Sequence, residues 1–178
     1  VDRACRAAAK ASKSWSRSLP AERARLLSAA AEKLEGRLGE IAKLLTREQG
    51  KPVGEAKGEV RAAVQALRFF ARYTELPVGE WRAPNRAGTM NLVRRYPVGP
   101  VAVISPWNYP VLLTAWKVAP ALAAGCTVVI KPSSKTPLAV TEFVRYLAEA
   151  GAPEGVVNLI HGSGKDVGSA PVSYTHLT

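Results

Sequence analysis

The chain has 178 residues, enough for one well-buried domain and too few for two complete ones. Its 47% hydrophobic and 22% charged residues fall in the ordinary globular range and exclude disordered and collagen-like classes, and no apolar run approaches the ~20 residues of a membrane helix. A formal net charge of +11 raises nucleic acid as a partner; however, the cations punctuate amphipathic stretches, as at Arg3, Arg6, Lys10, Lys13, Arg17, Arg23, Arg25, Lys33 and Arg37. Most read as solvated faces, so neither a nucleic acid nor a membrane is expected as a partner.

From Ala4 to about Thr74 the chain is Ala-rich, with apolar residues at helical spacing, as in Leu26, Leu27, Ala30 and Leu34, then Leu38, Ile41, Leu44 and Leu45. Pro20 with Ala21 and Glu22 fits a first helical turn, and Gly36, Gly39 and Gly50-Lys51-Pro52 mark helix boundaries. A third helix is predicted over Val53 to Thr74. Residues 76–88 lack periodicity and read as a surface connection, and 89–96 alternate as an exposed or edge strand ending at Pro97. The rhythm then changes to strand 101–104, helix 111–124, strand 127–130, helix 138–150 and strand 156–160. Short apolar strands alternating with helices predict parallel βαβ units in one doubly wound sheet, an α/β fold. Ligands of such sheets bind beyond the carboxyl ends of the strands. Those ends are Ser105-Pro106-Trp107-Asn108, Lys131-Pro132-Ser133-Ser134 and His161-Gly162-Ser163-Gly164.

Several residue types are read as bland. Cys5 and Cys126 are the only cysteines, and their separation provides neither a disulfide framework nor a zinc motif. A reducing cytoplasm is the expected location. Cys126, at the mouth of a strand, reads as inert packing, Cys5 has no nearby base, and His161 and His176 lack metal-ligand spacing; no metal is expected. The start, Val1-Asp2-Arg3-Ala4-Cys5, has no initiator Met or signal-peptide core and reads as internal sequence.

Three motifs in order, Tyr96-Pro97-Val98-Gly99-Pro100 running into Pro106-Trp107-Asn108-Tyr109-Pro110, then Trp116-Lys117 leading to Pro120 and Gly125, then Lys131-Pro132-Ser133, closely resemble the aldehyde dehydrogenase superfamily. Trp15, Pro20-Ala21-Glu22-Arg23 and Glu48-Gln49-Gly50-Lys51-Pro52 are similar to that family's N-terminal helices. The resemblance covers residues 3–170. It implies the N-terminal part of an NAD(P)-binding domain over 1–170: a helical block at 1–75, an edge-strand region at 89–97, and a partial, truncated Rossmann-like βαβαβ unit at 99–170. Residues 171–178 match nothing expected and read as a junction or artefact. The family's glutamate base and cysteine nucleophile are not found, so the isolated chain is expected to be inactive, while the parent oxidises an aldehyde to an acid as a homodimer or homotetramer.

The resemblance also implies residue roles, each beside a plainer one. Asn108 is the oxyanion donor, or a turn residue between prolines. Lys117 supports charge or relays a proton, or snorkels on a helix surface. Trp116 reads as core. Pro106 and Trp107 wall the nicotinamide, with Ser105 and Ser133 in the same cofactor-binding loops. Lys131 reaches the adenosine ribose, or is structural. Ser134 stands where NAD-preferring members often have Glu, so NADP is tolerated or preferred. Gly164 and Gly168 approach the cofactor diphosphate, while Gly162 shapes the turn. The Trp116-Lys117 pair disfavours the CoA-acylating branch. The alternative class is a non-catalytic nucleotide-binding or basic binding module.

Overall fold

The computed structural model describes residues 1–75 and 79–168. The helical block comprises four helices, α1 (Asp2–Trp15), α2 (Pro20–Gly36), α3 (Leu38–Gln49) and α4 (Val53–Tyr73), so the helix read as the third is the fourth. Pro20 opens α2, where its missing N–H costs nothing, and the Glu22 carboxylate turns back to accept the Leu19 N–H at 2.8 Å. Gly50, at φ +84°, ends α3 in the left-handed conformation and returns its N–H to Thr46 O at 2.9 Å. Pro52 then starts the next helix.

The reading of 76–88 as an irregular connection is corrected. Gly79–Arg82 is a strand, β1, antiparallel to β2 (Asn91–Arg94), with Trp81 opposite Leu92. All four β1 residues are exposed. Neither face is buried, so nothing imposed the apolar alternation by which a strand is recognised. Residues 76–78 lie outside the described part.

The second sheet is parallel, in the order β3 (Val101–Ile104), β4 (Val128–Lys131), β5 (Val157–Leu159), with α5 (Pro110–Ala124) and α6 (Pro137–Glu149) as crossovers. Val101 pairs with Val128, Ile104 with Lys131, and Ile130 with Leu159. Strand β4 is central and buried at every residue. Val128 and Ile130 join Val103 in the main core with Leu27, Leu34, Val60, Leu67, Leu122 and Phe143 from the helices. Val129 instead meets Ile160, Cys5 and Ala8, so α1 covers the opposite face. Burial on both faces explains the unbroken apolar run of this strand, and each large side chain so buried contributes ~1.5–3 kcal/mol. Thr127 Oγ1 donates to Ala8 O at 3.0 Å, fixing α1 across the sheet. The α/β architecture is thus that of a partial Rossmann-like module. Among the described residues, no helix is long and apolar enough to cross a membrane.

Candidate functional site

The three strand-end loops are tied to one another. Ser105 N–H donates to Lys131 O at 3.2 Å, continuing the β3–β4 ladder past Ile104. Lys131, only 4% exposed, donates from Nζ to Pro132 O at 2.8 Å and Gly162 O at 3.2 Å, joining the second loop to the third. The Lys135 ammonium sits 5.7 Å from the Trp107 ring centroid, joining the second loop to the first.

The first loop presents Pro106, Trp107, Asn108 and Tyr109 at the surface, with Ser105 buried beneath them. Lys117, exposed on α5, donates from Nζ to Ile104 O at 3.0 Å and so sits directly behind that loop. In the second loop, Ser133 Oγ accepts the Lys135 N–H at 3.2 Å, and Ser134 is exposed. In the third, Gly164–Gly168 form a single turn of the wide π type rather than a full helix. Gly162 at φ +151° closes onto it: a Cβ there would lie 2.2 Å from the Val167 side chain, so the turn needs glycine. Gly164 has open space around its Cβ direction. The tail 171–178, with His176, lies outside the described residues.

Two sequence readings are corrected. Trp116, expected in the core, is 56% exposed; one helical position away, Ala115 takes the inward place. Arg23, grouped with solvated cations, is 8% exposed, and its Nε has no hydrogen-bond partner among the described residues. It occupies the buried face of α2 with Leu26, Leu27 and Ala30.

Sequence reasoning did not find the support beneath the loop. Gln49 Nε2 donates to Trp107 O at 2.7 Å and to Asn108 O at 2.8 Å. Lys51 Nζ donates to Asn108 O at 2.9 Å, lies 3.8 Å from the Tyr109 ring centroid, and pairs with Glu59 Oε2 at 2.5 Å. The other oxygen of Glu59 accepts Val111 N–H at 2.9 Å and Leu112 N–H at 3.3 Å at the start of α5. Glu48 does the same for α6, accepting Leu138 N–H at 2.8 Å and Ala139 N–H at 2.9 Å. Each carboxylate satisfies orphan donors at the positive end of a helix. Two sequence signals pointed there: the segment Glu48-Gln49-Gly50-Lys51-Pro52, picked out by resemblance but given no role, and Glu59, an acidic residue in the apolar stripe of α4 between Ala56 and Val60.

Neither cysteine is placed to react. Cys5 is 0% and Cys126 3% exposed, and burial pushes the Cys5 thiol up, away from the reactive thiolate. Both are expected to resist alkylation in the native protein and to react on unfolding; rapid native labelling of either would contradict their burial. Among the described residues, no group of three or more His, Cys, Asp or Glu assembles that could hold a metal ion.

Comparison with known proteins agrees with this architecture. The aldehyde dehydrogenase family model matches residues 1–177. The succinate-semialdehyde dehydrogenase of Paenarthrobacter nicotinovorans is 40% identical over 169 residues, 95% of this chain and 38% of that protein. Among solved structures, an aldehyde dehydrogenase from Brucella melitensis biovar abortus 2308 superposes with a TM-score of 0.97 at 35% identity, covering 99% of this chain and 36% of that one. A Staphylococcus aureus betaine aldehyde dehydrogenase in complex with NAD+ gives 0.96 at 34% identity, covering 99% and 35%. The chain therefore spans between 33% and 38% of the length of the curated relatives it matches. With one family matched along nearly its whole length and its fold reproduced at this closeness, the chain belongs to the aldehyde dehydrogenase family.

Proposed function

We propose that the protein containing this chain oxidises an aldehyde, converting aldehyde, NAD(P)+ and water to carboxylate, NAD(P)H and two protons. This chain supplies part of the cofactor site and the oxyanion donor. The observation that carries the reading is the joining of the three strand-end loops through Lys131–Gly162 and Lys135–Trp107, in a chain of this family.

The residues present fit a nicotinamide dinucleotide. Among the described residues, Lys131 is a buried cation whose hydrogen bonds go to carbonyl oxygens, which leaves its charge free to meet ribose hydroxyls or a phosphate. Among the described residues, the buried hydroxyls Ser105 Oγ and Thr136 Oγ1 have no hydrogen-bond partner, so the strand ends hold unused polar capacity. Ser133 and Ser134 extend this rim, Pro106 and Trp107 wall the nicotinamide, and Gly164 and Gly168 allow close approach of the diphosphate. When bound, the cofactor supplies the hydride acceptor. Asn108 donates its side-chain amide to the oxygen on which negative charge develops, and Lys117 behind the loop adds positive charge. Both cysteines of this chain are buried, so the nucleophile comes from outside it, and residues 1–178 alone are expected to show no turnover. The exposed Trp81, Met90, Leu92, Tyr96 and Val98, all between 63% and 69% exposed, support a homodimer or homotetramer. Two buried free thiols suit a reducing cytoplasm.

Ser134 leaves no carboxylate to repel a 2′-phosphate, so NADP is accepted at least as well as NAD. Ser134→Glu is expected to weaken NADP relative to NAD by about tenfold, equivalent to ~1.4 kcal/mol, in paired fluorescence titrations; an unchanged ratio would contradict the placement of Ser134. The function itself is tested by incubating the full-length protein with a panel of aldehydes and either cofactor. One acid formed per cofactor reduced is expected, and cofactor reduction without acid would overturn the reading.

A further inference from the structure

The loop carrying Asn108 stands between two prolines, with Trp107, Asn108 and Tyr109 exposed on its outer side. Its inner side is held through its main-chain carbonyls and the Tyr109 ring. Gln49 donates to the carbonyls of both Trp107 and Asn108, and Lys51 donates to that of Asn108. The Lys51 side chain is 8% exposed and that of Glu59 0%, so this ion pair lies inside the protein beneath an exposed loop.

We propose that the buried Lys51–Glu59 pair is a positioning device for the Asn108 amide. The inference rests on the reading of Asn108 as oxyanion donor. Fixing the Asn108 carbonyl fixes the peptide plane that follows it, and with it the direction in which the side chain leaves the main chain. Glu59 makes this a common anchor. One of its oxygens holds the ammonium that grips Asn108, and the other holds the N–H groups of Val111 and Leu112, so the loop and the first turn of α5 are referenced to one carboxylate. Lys51 also lies against the Tyr109 ring, which leaves its ammonium little freedom to swing.

Stability alone does not account for such a pair. A buried ion pair gains little over a well-packed apolar pair, because the charges must first leave water. It does specify geometry, since both partners must meet at hydrogen-bond distance. An amide donor displaced by about 1 Å from a developing oxyanion loses on the order of 10²-fold in rate, so a rigid support for this loop acts on turnover. Lys51 and Glu59 touch neither substrate nor cofactor in this account; they act through Asn108.

The test is a double-mutant cycle on the full-length protein with Lys51→Met, Asn108→Ala and the pair, following kcat and the Kd for NADP. Lys51→Met is expected to lower kcat about tenfold with Kd within about twofold of the parent value, and Lys51→Arg, which keeps charge and donors, to recover part of the loss. In the Asn108→Ala background Lys51→Met is expected to change kcat less than about threefold, because the amide it positions is gone. A purely structural role would lower kcat equally in both backgrounds. A Lys51→Met loss under about threefold in the parent, or of about threefold or more in the Asn108→Ala background, overturns the inference. If Asn108→Ala itself leaves kcat unchanged, the reading of Asn108 falls and this inference falls with it. Should Lys51→Met fail to fold, the double variant Lys51→Met with Glu59→Met, which removes the pair without stranding a buried charge, is read against the same limits.

Discussion

Asn108→Ala in the full-length protein is expected to lower kcat for aldehyde oxidation by about 10²–10³, equivalent to ~2.7–4 kcal/mol, with cofactor affinity little changed. Attack on an aldehyde carbonyl moves electron density onto its oxygen, and a fixed amide N–H stabilises that oxygen more in the transition state than in the ground state, so the loss falls on kcat rather than on KM. Asn108 is suited to the task because it is exposed on a loop whose main chain is anchored from below by three hydrogen bonds to the Trp107 and Asn108 carbonyls. Steady-state kinetics with saturating cofactor checks the prediction. A kcat within a factor of about three would show that the amide does not meet the developing charge.

The second large effect concerns stability. Glu59→Ala is expected to cost about 3–5 kcal/mol, because the Lys51 ammonium would remain buried without a counter-charge and the Val111 and Leu112 N–H groups would lose their acceptor. That is a large part of the ~5–15 kcal/mol that separates folded from unfolded states in ordinary domains. Urea unfolding of the full-length protein measures it. Replacing both partners by Met is expected to recover most of the loss, since the stranded charge is removed with its partner. A Glu59→Ala protein as stable as the parent would show that Lys51 reaches water, against its 8% exposure.

The parts of this molecule that bury one face or two were legible in the sequence. The βαβ rhythm from Val101 to Ile160 announced the parallel sheet because its central strand β4 is buried on both sides, with α1 covering the face that α5 and α6 leave open. The candidate site was legible as three loops, since strand ends in such sheets fall together. What stayed hidden depended on pairing between distant segments. Strand β1 has no buried residue and exists through its pairing with β2. Trp116 looked like core by residue type, yet its helical position faces outward. Arg23 looked like surface by residue type, yet it lies on the inward stripe of α2. The support formed by Gln49, Lys51 and Glu59 joins residues more than fifty positions from the carbonyls and N–H groups they hold, and no local spacing encodes it.

In the proposed enzyme, the ends of β3 and β4 and the loop after β5 form the cofactor and oxyanion side of the aldehyde dehydrogenase site. A crystal structure of the full-length protein with NADP tests it most directly. The adenosine ribose and its 2′-phosphate are expected within hydrogen-bond reach of Lys131 and Ser134, and the nicotinamide against Pro106 and Trp107 with the Asn108 amide open to the reacting carbon's oxygen. A cofactor bound elsewhere, with Lys131 still held only by the Pro132 and Gly162 carbonyls, would contradict it.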